Sequence, residues 1–361
     1  MPAVPQPPLN RPATLADVGR LAGVSTMAVS AVLNGARTSS RIGEGTRERI
    51  VAAAARLRYR PNAAARALAN RRMKTLGVAG IVGGGLDYYF LELFNGMLEA
   101  AAEHGENMTV FTLRDWEKDA DRVAGFCDGR IDGMIIVAPQ WAATDARQLP
   151  DHAPFVTLHS NHLLPGVTNI ESDEETGAYE MVRHLVAVGH RRILHLTGPR
   201  GLLGAERRVR GYRRALTASK IKFEPELMRE AGYTGASGHK GFRSWLHDHR
   251  NQPLPSAIFC ANDALAIACL EEIAAMGLRV PEDISVAGFD DAVGARTTVP
   301  QLTTVRQPLR AMGRKAVELL LERVTGPRNP PPENVVLPVE LVQRASVSAP
   351  SPAPLLVPAD A

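Results

Sequence analysis

From Leu76 onward the chain alternates short apolar runs with amphipathic helical stretches, and that alternation leaves few folds open. The runs "LGVAGIV", "MTVFTL", "GMIIVAP", "PFVTL", "RILHLTG", "SAIFCAN" and "ISVAGFD" are apolar almost throughout, as strands buried on both faces must be. Helical patterns between them cover about residues 90–104, 175–189, 205–219, 237–249 and 263–276. Such repetition builds an α/β body with parallel sheets, in which ligands sit beyond the carboxyl ends of the strands. A chain of 361 residues exceeds one ordinary domain, and 45% hydrophobic residues can fill real cores. No uncharged apolar run approaches the roughly 18 residues of a transmembrane helix. The proline-rich opening "MPAVPQPPLNRP" lacks the charged start and apolar middle of a signal peptide, so residues 1–12 read as a disordered tail. Cys127, Cys260 and Cys269 are odd in number and form no CxxC, which fits reduced thiols in the cytoplasm.

The net charge of +4 conceals an asymmetry. Residues 1–75 hold 13 Lys and Arg against 3 Asp and Glu, whereas the rest holds 29 against 35. A small basic module joined to a mildly acidic body points to a polyanionic partner, and its charges are interleaved with apolar periodicity as in a folded domain. In "ATLADVGRLAGVSTMAVSAVLNG", residues 13–35, Thr14 and Asp17 make a capping signal for a helix running to about Ala22. Gly23 supplies the turn, and Ser25 is the expected N-cap of a second helix that Asn34 and Gly35 end. Val29, Val32 and Leu33 face inward; Thr26, Met27, Ser30 and Ala31 face outward. Helix, glycine turn, helix is the helix-turn-helix arrangement, whose second helix can enter a major groove; an ordinary helical hairpin shares the pattern.

A third helix is expected over about residues 44–58, with Ile50, Ala53, Ala54 and Leu57 inward. Gly43 and Gly45 cap its start poorly, and Pro61 stops it. Residues 62–70 can form a short Ala-rich helix, too short to stand without DNA or a partner. Enzyme signatures fail. A dinucleotide fingerprint begun at Gly83 and Gly85 meets Tyr88 in its third place, "HDH" at 247–249 puts two histidines on different helix faces, and neither HExxH nor GxSxG occurs. No cofactor or metal is therefore expected. A transport-type solute-binding protein is the alternative two-lobed reading, against which the basic head argues.

"TLADVGRLAGVS", "VSAVLNG", "YRPNAAARALA" and "LGV", in this order and spacing, resemble the DNA-binding head and hinge of the lac-repressor (LacI/GalR) family, and the resemblance runs on to about residue 345. It implies an all-α helix-turn-helix head joined to an α/β two-lobed periplasmic-binding-protein-like effector domain. The expected limits are 13–61 for the head, 62–75 for hinge helix and linker, and 76–345 for the body. Within the body, one lobe takes about residues 76–172 and 305–330, the other 173–304 and 331–345, with 346–361 a second disordered tail. That tail lacks heptads, so a homodimer is expected.

The implied partner is double-stranded operator DNA, touched by Thr14, Ser25, Thr26, Met27, Ser30, Ala31, Asn34, Arg60, Asn62, Ala65, Arg66, Leu68 and Ala69. Leu68 stands where the family wedges a leucine between central base pairs; packing on the body is its bland alternative. Two positions depart from the family. Ala31 replaces a long polar side chain and can touch only a thymine methyl, and Ala69 replaces a lysine. The implied effector is a small polar molecule, a sugar or sugar derivative before a nucleobase. Its candidate contacts are Tyr89, Phe90, His159 (where relatives often carry Asp), Arg208, Tyr233, Asn262, Asp263 and Asp290. Arg208 and Asp290 match the family's effector-binding pair, though a structural ion pair or a helix-start charge would use the same residue types; His159 also fits a plain strand-end histidine.

Overall fold

A computed structural model describes residues 12–34, 42–60, 72–81, 88–140, 149–326, 331, 333–352 and 355–357. The chain divides into two compact units, Met1–Thr75 with Gly129–Asp132, and Leu76–Asp128 with Gly133–Ala361.

The first unit holds α1 (Leu15–Ala22), α2 (Thr26–Asn34) and α3 (Glu44–Arg56). The capping box forms as expected: Asp17 N donates to Thr14 Oγ1 at 3.3 Å and Thr14 N to Asp17 Oδ2 at 3.0 Å. Gly23 ends α1 in the left-handed region at φ 69°, where a side chain would be strained. Val18, Val29 and Ile50 are fully buried, with Ala22, Ala53 and Ala54 around them. Gly43 gives α3 no side-chain cap. Just before the next strand, Asp132 accepts from Met73 N at 2.7 Å, Lys74 N at 2.8 Å and Arg72 Nε at 3.0 Å.

The second unit runs β1 (Thr75–Ile81), α4 (Tyr88–Glu103), β2 (Asn107–Leu113), α5 (Trp116–Phe126), β3 (Gly133–Val137), β4 (Phe155–Leu158), β5 (Thr168–Ser172), α6 (Glu174–Val188), β6 (Ile193–Thr197), α7 (Leu203–Ala218), β7 (Met228–Glu230), α8 (Gly235–Asp248), β8 (Ala257–Cys260), α9 (Asp263–Ala275), β9 (Ser285–Ala287), α10 (Val293–Thr297), β10 (Thr304–Arg306), α11 (Leu309–Thr325), β11 (Asn334–Leu337) and β12 (Glu340–Val342). Its strands form a six-stranded sheet ordered β11-β5-β4-β3-β1-β2, a four-stranded sheet β7-β6-β8-β9, and an antiparallel pair β10-β12. β11, β5, β4, β3 and β1 pair parallel, as do all four strands of the second sheet.

In the first lobe α4 and α11 bury Leu93, Met97, Met312 and Leu320 against Leu76, Val78, Ile135 and Val156. In the second lobe the period-two alternation of the strands makes two cores. Leu194, Ile258 and Val286 meet Phe242 and Trp245 of α8, whereas Ile193, Phe259 and Ala287 meet Met181 of α6 and Tyr212 of α7.

The structure differs from the sequence reading in three places. It adds the helices α5, α10 and α11 and the strands β5, β7, β10, β11 and β12. The last lobe crossing falls after Leu337 and not near residue 330, because β11 pairs with β5 on the open edge of the first sheet. Residues 346–352 and 355–357 pack on the second lobe where a tail is expected. Ser346 Oγ accepts from Thr303 N at 2.8 Å and donates to the Val286 carbonyl at 2.6 Å. Leu254 N donates to the Leu355 carbonyl at 2.8 Å, and Val357 is 1% exposed in the second lobe's core.

Two predictions follow from packing. At Gly313 a Cβ would lie 2.0 Å from the Leu93 carbonyl oxygen, and at Gly96 2.0 Å from that of Arg310, so α4 and α11 touch backbone to backbone. Gly313→Ala should cost about 1–3 kcal/mol, a fall of several degrees in Tm. Gly125→Ala on α5, with open space at its Cβ, should instead stabilise by up to about 1 kcal/mol. The second concerns His195, fully buried and stacked on Phe259 at 4.7 Å. Burial lowers its pKa to about 4, against the hydrogen bond to the Phe259 carbonyl and with help from Arg208. The unfolded chain takes this proton as pH falls below about 6.5, while the folded chain waits until about 4. Stability is thus complete above that upper value and lost on the way down. His195→Gln should flatten this slope in Tm measured against pH.

Candidate recognition helix and interlobe cleft

On the first unit Thr14, Ser25, Thr26, Met27 and Arg60 are exposed, and Ser30, Ala31 and Asn34 half-buried. Ser25 Oγ accepts from Ala28 N at 3.2 Å, the expected cap of α2. Asn34 Nδ2 turns back to Ser30 Oγ at 3.4 Å. Asn62, Ala65, Arg66, Leu68 and Ala69 lie outside the described residues.

In the body, a hydrogen-bonded path runs from one lobe to the other. Tyr89 Oη on α4 lies 2.6 Å from His159 Nδ1. The Ser172 backbone N–H, at the end of β5, donates to His159 Nε2 at 3.1 Å. A backbone N–H can only donate, so Nε2 carries the lone pair and Nδ1 carries the hydrogen toward Tyr89. Burial also lowers the pKa of His159, with Arg208 adding to the effect and Glu174 opposing it; geometry and solvation both hold the ring neutral. Ser172 Oγ donates to Gln307 Oε1 at 2.5 Å, and Gln307 Nε2 donates to Asp290 Oδ1 at 2.7 Å. The path ends on a carboxylate of the second lobe.

Arg208 sits beside this path, 5% exposed. Its Nη2 donates to Glu174 Oε1 at 2.9 Å and its Nη1 to the Ala261 carbonyl. Its guanidinium lies 4.1 Å above the Phe289 ring and 5.7 Å from that of Tyr233. Its Nε is buried without a hydrogen-bond partner among the described residues. Burial pushes the Tyr233 phenol up to about 12, although Arg208 pulls the other way, so the ring is neutral. Gly198, whose Cβ would lie 2.5 Å from that ring, lets it cover the end of β6.

Two expected cleft residues turn inward. Phe90 is 7% exposed and stacks on Phe94 at 5.9 Å in the first lobe's core. Asp263 is fully buried: Oδ1 accepts from Thr304 Oγ1 at 2.6 Å and Oδ2 from Ala292 N at 2.7 Å. Burial and the neighbouring Asp290 raise its pKa well above the usual carboxylate range. Asn262 caps α9 through Leu265 N at 3.0 Å and donates to the Tyr233 carbonyl at 2.9 Å, so it fixes the backbone under the aromatic wall.

The sequence reading missed Ser172, Glu174 and Gln307, and two further ties between lobes. Asn161 donates to the Gly201 carbonyl at 2.6 Å and accepts from Leu203 N at 2.7 Å. Arg207 pairs with Glu171 at 2.8 Å. Left-handed backbone at His159 (φ 49°), Asp290 (φ 117°) and Asp291 (φ 59°) clusters at these strand ends. Such strain persists only where the surroundings over-determine it, as at binding sites. Among the described residues no group of three His, Cys, Asp or Glu could hold a metal ion.

Comparison with known proteins agrees with both units. Residues 14–62 match the family described as bacterial regulatory proteins, lacI family, and residues 182–347 a periplasmic binding protein-like domain. The HTH-type transcriptional repressor PurR of Aliivibrio fischeri (strain MJ11) is 33% identical over 315 residues, 86% of this chain and 92% of that protein. The lac repressor dimer bound to operator and the anti-inducer ONPF matches with a TM-score of 0.82 at 31% identity, over 94% of this chain and all of the other. The transcriptional regulator CelR in complex with cellobiose gives 0.68 at 30% identity, over 92% and 99%. With a capped helix-turn-helix ahead of a two-sheet body and this likeness along nearly its whole length, the chain belongs to the lacI family of bacterial regulatory proteins.

Proposed function

We propose that this protein represses transcription by binding a palindromic operator as a homodimer, in the cytoplasm and on the nucleoid, under the control of a small polar effector held between its lobes. The observation that carries the reading is the path from Tyr89 through His159, Ser172 and Gln307 to Asp290, because it makes lobe arrangement and cleft occupancy one question. A ligand that bonds these groups better in one arrangement shifts the population toward it, and only that difference can do so. The PurR relative and the operator-bound lac repressor support the DNA partner, and the CelR complex supports a sugar.

The chemistry of the cleft favours an uncharged polyol. Arg208 is already neutralised by Glu174, His159 and Tyr233 are neutral, and Asp290 accepts hydrogen bonds. Hydroxyls satisfy such groups while an apolar sugar face lies on an aromatic ring. The same groups argue against turnover: His159 has its lone pair committed to Ser172 N–H and cannot serve as a base. In the head, the cations of residues 1–75 grip phosphates, so operator affinity falls linearly with salt on logarithmic axes. Leu68 wedges a central base step and bends the duplex.

Three outcomes test this. A thermal-shift screen of sugars and nucleobases identifies the effector. Asp290→Asn should then weaken effector binding about tenfold or more and leave effector-free operator affinity within about twofold. Calorimetry with and without operator must give reciprocal coupling in the parent; effector affinity indifferent to operator would refute the two-state coupling. Leu68→Ala should reduce operator bending in a circular-permutation gel while the protein stays folded.

A further inference from the structure

We propose that α2 reads thymine methyl groups through Met27 and Ala31 and makes no guanine-specific contact, which rests on the reading above that this helix enters the major groove. From Ser25 to Leu33 the chain is "STMAVSAVL", with no Arg, Lys, Asn, Gln, Asp or Glu. In the major groove guanine is read by Arg or Lys, adenine by Asn or Gln, cytosine by a carboxylate, and thymine by apolar contact with its methyl. Only the last is open to this helix. Asn34, its single amide, sits at the far end, half-buried and turned back on Ser30 Oγ at 3.4 Å, whereas recognition helices present their amino-terminal residues to bases.

The exposed face has the matching shape. Met27 is 67% exposed, and Ala31, one turn on, shares its stripe with Ser30 between them. The opposite face is spent on the core through the fully buried Val29. Met27 is long and flexible enough to lie along a groove floor, and the small Ala31 lets the helix approach it closely. Ser25, Thr26 and Ser30 hydroxyls can donate or accept with any base and discriminate little. The positive charge lies off this helix, on Arg20 of α1, on Arg47, Arg49 and Arg56 of α3, and on Arg58 and Arg60 beyond it. Phosphate grip and base reading are therefore carried by different elements, and salt dependence and base preference separate experimentally.

The experiment uses the full chain. An operator is selected from random-sequence DNA, and each thymine of a half-site is then replaced by uracil, which removes only the methyl. One or two positions per half-site should each lose about fourfold in affinity, the weight of one buried methyl. Met27→Ala should abolish that thymine-over-uracil discrimination at one of them with an unchanged salt slope. Being exposed, the site does not threaten the fold, and circular dichroism checks it. Ala31→Arg should create a new guanine preference one turn along. A selected site indifferent to uracil overturns this inference alone, as does a Met27→Ala variant that leaves every uracil penalty unchanged. A pool that yields no preferred sequence overturns the regulator reading, and this inference with it.

Discussion

A buried guanidinium needs fixed partners, and Arg208 has them in Glu174 Oε1 and the Ala261 carbonyl. Removing one member of such a pair leaves a charge in a poor solvent, at a cost of about 3–5 kcal/mol. Much of the second lobe is arranged to prevent that. α6 and α7 approach closely because Gly211 stands where a Cβ would lie 2.3 Å from the Glu175 carbonyl oxygen. Gly204 lets the Glu174 carboxylate sit beneath the start of α7. Phe289 and Tyr233 complete the wall around the guanidinium.

The same short turn serves both lobes. Ser172 closes β5 of the first lobe and passes a hydrogen bond to Gln307, and Glu174, two residues on, holds the cation of the second. Asp173 between them caps α6 by accepting from Thr176 N at 3.1 Å. A shift of one lobe against the other must therefore disturb the path to Asp290, the Arg207–Glu171 pair and the Asn161 bridge together. Packed interfaces of this kind have few stable arrangements and do not deform continuously, which is what a binary regulatory response requires.

Much of the site was legible where its signal is local. Thr14 with Asp17, Gly23 and Ser25 mark the first two helices within three or four residues each, and all of these marks are used as read. Arg208, Tyr233, His159 and Asp290 come from the strand ends and the family pattern, and the structure sets Arg208 beside the Tyr233 ring and within electrostatic reach of His159 and Asp290. Phe90 and Asp263 come from the same strand ends yet face inward, because a strand end offers both a core side and a cleft side and sequence alone does not choose. Gln307 carried no signal at all: its partners Ser172 and Asp290 are 135 and 17 residues away.

The sequence by itself determined the three helices of the head and most of the longer elements of the body. Apolar runs of strand length, helical periodicity and capping residues act through neighbours in the chain, so they are visible before any fold exists. Only the tertiary structure decided which strand edge took β11, that the proline-rich end would pack on the second lobe with Val357 in the core, and that the partner of Arg208 within the chain would be Glu174. Those outcomes depend on which unsatisfied backbone edge, apolar cavity or buried charge remains open once the rest has packed, and that is a property of the assembled chain.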